Sequence, residues 1–330
     1  MLSIFRNNQA STAVILLVVI ALLRWPALAG WVAPLQAEPD GAGVLYAWFF
    51  GWSLSLPLLS AVAAVFLVWI QALLVNWLVI SSKINPERNW LAALLYAVVV
   101  SSVRDFMYLS PALVAVTFVP LALRIMFKLY KSHDTTLLVF DTSMMLAIAG
   151  LFYVPTLWLA PLFLLAILYL RTVKLPDIVV FSGALFVPGF IGWAIAVWKD
   201  RGYLFVQKYT QQLFQLWDIH LDTSWDTLSQ ITVLGIMALT VLAGFNTYYH
   251  KRLIQVQKYN NILYWILLGA LFSMLLRHAP QAGHLLPAGV TTGIFLALSL
   301  QEIRNRLIAE VLFLALLALI YSAMLLPSIS

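Results

Sequence analysis

The chain has 330 residues, of which 63% are hydrophobic and only 10% are charged, and its formal net charge is +6. A soluble domain is usually about one quarter charged, so this composition excludes a soluble globular fold. Because the chain contains no cysteine, disulfides, Cys-ligated zinc and thiol catalysis are excluded as well. The basic residues lie in short connections, without a basic tail or stripe, so we expect no nucleic-acid partner.

Apolar segments long enough to cross a bilayer, about 20 residues each, follow one another along nearly the whole chain. They predict an all-α fold, a polytopic transmembrane helical bundle of about eleven spans. The spans are expected near 12–33, 54–80, 89–103, 108–127, 136–153, 155–171, 178–198, 228–248, 262–276, 285–301 and 307–326. No internal repeat or soluble linker separates them, so we expect a single transmembrane domain over residues 1–330.

The Lys and Arg residues are distributed unequally over the two sides of these spans. With a cytoplasmic N-terminus, thirteen of the nineteen fall on the inner side, as expected because basic residues are retained in the cytoplasm. The sequence therefore predicts a multi-pass protein of a bacterial inner membrane. Alternatively, the first span is a signal peptide cleaved after Ala27-Leu28-Ala29, which leaves the orientation of the other spans unchanged.

Two connections on the predicted outer side are more than turns. Residues 41–52 contain Tyr46, Trp48, Phe49, Phe50 and Trp52 and predict an interfacial helix before the second span. Residues 203–221 carry apolar side chains at spacings of three or four, which predicts an amphipathic surface helix. Those side chains are Phe205, Tyr209, Leu213, Leu216 and Trp217.

Ionisable residues within the predicted spans or at their ends are candidates for function, because a charge in hydrocarbon is costly. Arg24 lies about twelve residues into the first span, roughly 18 Å along a helix, so it must snorkel, pair with an acid or hold an anion. Arg104 and Asp105 occupy the tight turn between the third and fourth spans, and Arg277 and His278 follow the ninth span. All five lie on the predicted outer side.

The first outer connection adds two carboxylates, Glu38 and Asp40, in a Glu-Pro-Asp-Gly turn. Arginines bind phosphate oxygens through paired hydrogen bonds, and a carboxylate can act as general base on an incoming hydroxyl. Acids beside arginines under an aromatic segment are what a site for a lipid-linked phosphate needs. The catalytic candidates are Asp40 and Glu38, and the substrate-binding candidates are Arg24, Arg104, Asp105, Arg277 and His278.

Each of these residues also has a plainer interpretation. Arg104 next to Asp105 is typical of a local ion pair, Arg24 of a snorkelling side chain, and Pro-Asp-Gly of an ordinary turn. Asp141, inside the fifth span, indicates either a proton or ion pathway or a carboxylate hydrogen-bonded to neighbouring helices. His278 and His284 lack the spacing of a metal pair, and nucleotide-binding and hydrolase motifs are absent, so we expect no metal and no cofactor.

Short motifs in the first two hundred residues are similar to a known family. They are QALLVNWLVISSK at 71–83, Arg104-Asp105 with Leu109-Ser110-Pro111, Phe140-Asp141, GLFYVP at 150–155, and Leu175-Pro176-Asp177 ahead of Gly183 and Pro188. With these motifs the chain resembles a family of uncharacterised polytopic inner-membrane proteins of Bacteroidota. That resemblance implies a membrane fold and no particular activity.

A weaker similarity is to the membrane glycosyltransferases that use polyprenyl-phosphate sugars, the GT-C fold. Members carry an acid in the first outer loop, an interfacial helix and arginines near the outer face. Asp40 or Glu38 matches the acid, and Arg24, Arg104 and Arg277 match the arginines. The resemblance implies glycosyl transfer from a polyprenyl-phosphate-linked substrate, although the first loop is shorter than in that family.

Three functions follow as hypotheses. An outward-facing glycosyltransferase or polymerase acting on lipid-linked sugars during envelope assembly is indicated by acids and arginines on one side. A non-catalytic subunit or scaffold of an envelope complex, with other envelope proteins as partners, is indicated by the predicted surface helix. A transporter or flippase is indicated by the number of spans and by Asp141. Under all three hypotheses the protein is in contact with membrane lipid.

Overall fold

The structure is a computed structural model, and it describes residues 2–7, 9–32, 41–130, 132, 135–171, 175–214, 253–275, 282–303 and 305–325. Within these ranges the regular structure is helical, and a single isolated bridge joins Ala42 to Tyr153. The predicted all-α class is therefore confirmed for the described residues.

The helices follow one another with short connections. They are α1 (Leu2–Arg6), α2 (Ser11–Leu23), α3 (Trp25–Leu28), α4 (Val44–Phe50), α5 (Pro57–Ser81), α6 (Leu91–Val100), α7 (Pro111–Val116), α8 (Phe118–Phe127), α9 (Thr136–Phe152), α10 (Ala160–Leu170), α11 (Leu175–Trp198), α12 (Gly202–Phe214), α13 (Ile254–Leu275), α14 (Leu286–Glu302) and α15 (Arg306–Leu325). Short 3-10 helices span Gly51–Leu54, Arg104–Phe106, Val154–Leu159 and Ala282–Leu285.

The longer helices run between two ends of the bundle. At one, the Lys83 end, the Trp90 amide donates to the Phe5 carbonyl (2.8 Å) and Asn85 donates to Gln301 (2.6 Å). These bonds join α1, the connection 82–90 and the end of α14. The opposite end, the Arg24 end, contains residues 24–32, 41–54, 101–110, 153–159 and 282–285.

The centre of the bundle is α6, in which every residue is buried. A helix without a polar face requires other helices on all sides, and α6 packs against both α5 and α14. Gly293 of α14 allows a close approach, since a Cβ at that position would lie 2.7 Å from Tyr96 Cα. The ten residues of α6 span about 15 Å at 1.5 Å per residue, so the helix ends inside the bundle, where Ser101 and Val103 are also buried.

Two helices of the described residues, α5 and α11, are long and apolar enough to cross a membrane. Much of the surface of α11 is exposed hydrocarbon, including Val179 (64% exposed) and Phe186 (68%). Shorter apolar helices of 10–17 residues include α2, α6 and α9. The predicted count of eleven crossings stays a prediction, and the expected span at 228–248 lies outside the described residues.

Two helix boundaries differ from those expected. The first apolar segment breaks at Arg24 instead of continuing to residue 33, because Pro26 lacks the N–H that would continue the hydrogen-bond ladder. Helix α13 begins at Ile254, eight residues before the expected start. Its polar first turns are held by α10, since Lys258 donates to the Tyr169 carbonyl (3.3 Å) and Asn261 to the Tyr169 hydroxyl (2.9 Å).

Both predicted interfacial segments are helical where they are described. Helix α4 and the 3-10 turn Gly51–Leu54 lie within the aromatic segment expected at 41–52, and α12 forms the first part of the segment expected at 203–221. Leu216 and Trp217 lie outside the described residues.

Candidate functional site at the Arg24 end

A fully buried arginine lies at the centre of the Arg24 end. The side chain of Arg24 has no exposed surface. Its guanidinium donates hydrogen bonds to the backbone oxygens of Phe106 and Met107 (3.2 Å to Met107) and to the Ser101 hydroxyl (3.4 Å). Within the described residues Arg24 therefore neither snorkels nor pairs with an acid, but binds the carbonyls of the segment that follows α6.

This segment, residues 101–110, is irregular backbone buried in the bundle. Side chains from other elements bind its polar groups: the Leu109 amide donates to the Ser60 hydroxyl (3.0 Å), and the Tyr46 hydroxyl donates to the Leu109 carbonyl (2.8 Å). The Tyr108 hydroxyl in turn donates to the Val32 carbonyl (2.7 Å). Irregular backbone at membrane depth is tolerated only where protein groups satisfy it, and these contacts meet that requirement.

Arg104 and Asp105 form the start of the 3-10 turn Arg104–Phe106 inside this segment. Arg104 is half-buried and Asp105 is exposed. Because Phe106 accepts a hydrogen bond from Arg24, the turn that carries Arg104 and Asp105 lies against Arg24. Arg24 thereby fixes the backbone that carries Arg104 and Asp105.

The predicted catalytic acids, Glu38 and Asp40, lie outside the described residues, but the chain on both sides of them is anchored at this end. On one side Val32 accepts the bond from Tyr108. On the other side the Val154 amide donates to the Gly41 carbonyl (2.9 Å), and the Gly43 amide donates to the Phe152 carbonyl (2.8 Å). A side chain at Gly43 would overlap the Leu151 carbonyl, so a glycine is required for this contact.

Arg277 and His278 also lie outside the described residues, between the end of α13 and the 3-10 turn Ala282–Leu285. That turn packs against the turn Arg104–Phe106. A Cβ on Gly283 would lie 3.0 Å from the Tyr153 hydroxyl oxygen. The chain that follows Arg277 and His278 thus returns to the same end of the bundle as Arg24 and Gly41.

A groove of about 960 Å³ adjoins this end and is lined by α9, α10, α11 and α12. Its walls are almost entirely apolar, with Ala147 from α9, Leu164 from α10, and Phe186 and Trp193 from α11. One of its lining residues is Leu151, whose carbonyl lies against Gly43. The groove is therefore adjacent to the backbone contact that anchors the segment following Asp40.

Helix α12 covers part of the groove with the apolar residues predicted for an amphipathic helix. Phe205 and Tyr209 stack with ring centroids 4.4 Å apart, and both line the groove together with Leu213. The Tyr209 hydroxyl is buried and lies close to the backbone of Val44 in α4. Helix α12 is thereby connected to the aromatic segment at this end.

A cation also lies at this end, next to the aromatic segment. Lys199, which follows α11, places its ammonium 4.7 Å from the ring centre of Trp48 in α4. Asp200 and Arg201 follow it and are exposed. The contact is a cation–π interaction and connects α11 to the interfacial segment.

A buried polar group deeper in the bundle was not singled out from the sequence. Gln71 of α5 is fully buried and accepts a hydrogen bond from the Tyr96 hydroxyl (2.8 Å). Its amide nitrogen donates to the Leu113 carbonyl (2.6 Å) and to the Thr117 hydroxyl (2.8 Å). The sequence signal that would have indicated it is a glutamine in the middle of an otherwise apolar span.

Asp141 is half-buried on α9, and the described residues contain no group of three or more His, Asp or Glu residues placed to hold a metal ion. No protein-family model matches this chain, and comparisons with curated proteins and with solved structures find no match. Inferences about function therefore depend on the geometry of the Arg24 end.

Proposed function

We propose that the chain is a multi-pass inner-membrane protein that acts on a lipid-linked substrate at the outer face, as a glycosyltransferase or polymerase of envelope assembly. The observation that carries this proposal is the position of the apolar groove. The groove is lined by Leu151, whose carbonyl lies against Gly43, and the predicted catalytic acid Asp40 comes three residues before Gly43 in the sequence.

Membrane insertion is supported by the exposed apolar surface. Helices α5 and α11 have the length and composition of membrane spans, and soluble proteins seldom expose continuous apolar surface of this kind. The excess of basic residues at the Lys83 end supports a cytoplasmic location for that end. The Arg24 end then faces outward.

The groove suits the hydrocarbon chain of a lipid-linked substrate. Its volume is at the upper limit of ordinary small-molecule sites, which range over about 300–1,000 Å³, and its apolar walls favour a chain without polar groups. A chain in the groove places its phosphate at the Arg24 end. There Arg104, and Arg277 on the returning chain, bind the phosphate oxygens through charge-assisted hydrogen bonds.

In the proposed reaction Asp40, or Glu38, removes the proton from an acceptor hydroxyl. The resulting oxygen nucleophile attacks the anomeric carbon, and the bond from that carbon to the lipid phosphate breaks. The lipid phosphate leaves with the electron pair, and the arginines stabilise its charge. Arg24 acts through the 101–110 backbone, since its own donors are occupied by that segment.

The test is to replace Asp40 and Arg104 separately by Ala in the native host and to measure surface glycan and protein level. We expect each variant to lose surface glycan at normal protein level. Asp200→Asn and Arg201→Gln are matched controls, because both residues are exposed near the same end. Normal glycan in both Asp40→Ala and Arg104→Ala at normal protein level would contradict the proposal.

A second candidate, a non-catalytic subunit of an envelope complex, is favoured by the outer side of α12. Tyr203 (79% exposed) and Leu204 (59% exposed) present apolar surface there. Purification with a stoichiometric partner that is lost on Tyr203→Ser and Leu204→Ser substitution would favour this candidate. An active monomer would exclude it.

A further inference from the structure

A second cavity, of about 700 Å³, lies at the Lys83 end and is separate from the groove. It is formed by the end of α5, the connection 82–90, the start of α13 and the end of α14. Its interior wall is apolar, with Val256 and Leu298 both buried. Its rim, in contrast, carries amides and charges of both signs.

The amides come from a hydrogen-bonded cluster at the side of the cavity. The Gln301 side-chain oxygen accepts bonds from the amide nitrogens of Asn85 (2.6 Å) and Asn89 (3.1 Å). This arrangement fixes the orientation of Gln301. Gln301 lines the cavity, and its amide nitrogen offers two hydrogen-bond donors.

Four charged side chains line the same cavity. Lys83 and Arg88 are the cations, and Glu87 and Glu302 are the carboxylates. All four are exposed, and within the described part of the chain none of them forms an ion pair with another. A ligand that carries one charge of each sign can therefore engage both kinds of partner at once.

We infer that this cavity binds the headgroup of a glycerophospholipid that carries phosphate and a primary ammonium, that is, phosphoethanolamine. Lys83, Arg88 and the Gln301 amide donate to the phosphate oxygens, and Glu87 and Glu302 accept hydrogen bonds from the ammonium. Charge-assisted hydrogen bonds of this kind are stronger than neutral ones. A choline headgroup has no N–H to donate, and a glycerol headgroup has no cation, so each satisfies only part of the site.

The lipid source of this headgroup is favoured over a soluble phosphate compound by the rim of the cavity. Leu253 lines the cavity and is 71% exposed, and the adjacent Ile254 is 70% exposed. Acyl chains attached to a headgroup in the cavity would cover these two side chains. A soluble ligand would leave them in water.

The experiment titrates the purified full-length protein with phosphatidylethanolamine, phosphatidylcholine and phosphatidylglycerol, each separately, and counts retained lipids by native mass spectrometry. We expect one phosphatidylethanolamine retained with about tenfold preference over phosphatidylcholine, a factor that corresponds to roughly 1.4 kcal/mol. The double variant Lys83→Asn with Arg88→Gln weakens binding of all three lipids, because each bears a phosphate, and Asn tolerates the positive φ of 54° at Lys83. The double variant Glu87→Gln with Glu302→Gln removes the ethanolamine preference alone.

Lys128→Ala and Asp200→Asn are the controls, because these charged residues are exposed and do not line the cavity. Soluble glycerophosphoethanolamine is added as a competitor to separate the two sources of the headgroup. Displacement of the lipid only by a large excess supports the lipid assignment, whereas equal affinity for the soluble compound overturns it. Equal retention of all three lipids by the unmodified protein overturns the proposed site. So does an unchanged affinity in the Lys83/Arg88 double variant or an unchanged ethanolamine preference in the Glu87/Glu302 double variant.

Discussion

Replacing Arg24 by Met tests whether the buried guanidinium holds the 101–110 segment in place. The change removes the donors that bind Phe106, Met107 and Ser101, and it leaves two backbone carbonyls without partners inside the bundle. A buried polar group left unsatisfied costs about 1–3 kcal/mol, and part of this is offset because a buried cation is no longer desolvated. The expected net loss is about 2–4 kcal/mol of unfolding free energy, or roughly 3–6 °C in Tm for a chain of this length.

The assay is thermal unfolding of the detergent-purified protein, followed by the fraction that remains monodisperse. Arg24→Lys should be intermediate, because an ammonium keeps the charge but not the planar set of donors. Arg201→Met, which removes an exposed arginine near the same end, should unfold close to the wild-type temperature. An Arg24→Met variant that unfolds within 1 °C of wild type would refute the reasoning that Arg24 is a structural clamp.

Three further predictions concern packing, polarity and orientation. Gly293→Ala should destabilise the protein by about 1–3 kcal/mol, because the added methyl group forces α14 away from α6. Gly289→Ala is the control and should have little effect, since the nearest neighbour of its new Cβ is 3.6 Å away. Equal effects of the two substitutions in thermal unfolding would contradict the close contact at Gly293. Gln71→Leu should lower the free energy of unfolding by about 2 kcal/mol, because the groups bonded to the glutamine side chain lose their partner. An unchanged unfolding temperature would show that water forms the hydrogen bonds that Gln71 made. Because the chain has no cysteine of its own, a single introduced cysteine can be labelled specifically. A cysteine in place of Lys199 should react with an impermeant maleimide in intact cells, and one in place of Lys128 should react only after permeabilisation. The reverse pattern would exclude the proposed outward site.

The positions of the helices were largely predictable, because most of them coincide with long runs of apolar residues in the sequence. The breaks were less predictable. The residues around Arg24 are as apolar as their neighbours, so the sequence alone did not show that the first helix breaks there. The polar residues of 101–110 did indicate a turn, but not that its backbone is buried and bound by side chains of other helices. Helix α13 shows the opposite error, since Lys258 and Asn261 indicate solvent by composition but bond to Tyr169 on another helix.

The sequence predicted which segments form the candidate site, but not the contacts that their residues make. Charged residues are scarce in this chain, so Arg24, Arg104 and Asp105 were easily selected, but the role of each depends on its partners. Arg24 was expected to snorkel, to pair with an acid or to hold an anion, and among the described residues its guanidinium binds two backbone carbonyls and the Ser101 hydroxyl. The groove was not predictable because its shape results from four helices packing together, although Gly150 and Gly189 in its lining are the kind of small residues that leave such space.

The position of Arg24 has a consequence for the chemistry of the outer end. Helix α6 ends at Val100, and its C-terminal carbonyls carry partial negative charge, which favours a cation buried close to that end. A guanidinium held by this charge and by the carbonyls of Phe106 and Met107 is already solvated by protein. It therefore gains little by binding a phosphate, and binding there would expose those carbonyls. In the proposed reaction the phosphate must then be bound by the half-buried Arg104 and by Arg277, and Arg24 contributes by keeping Arg104 on a fixed backbone.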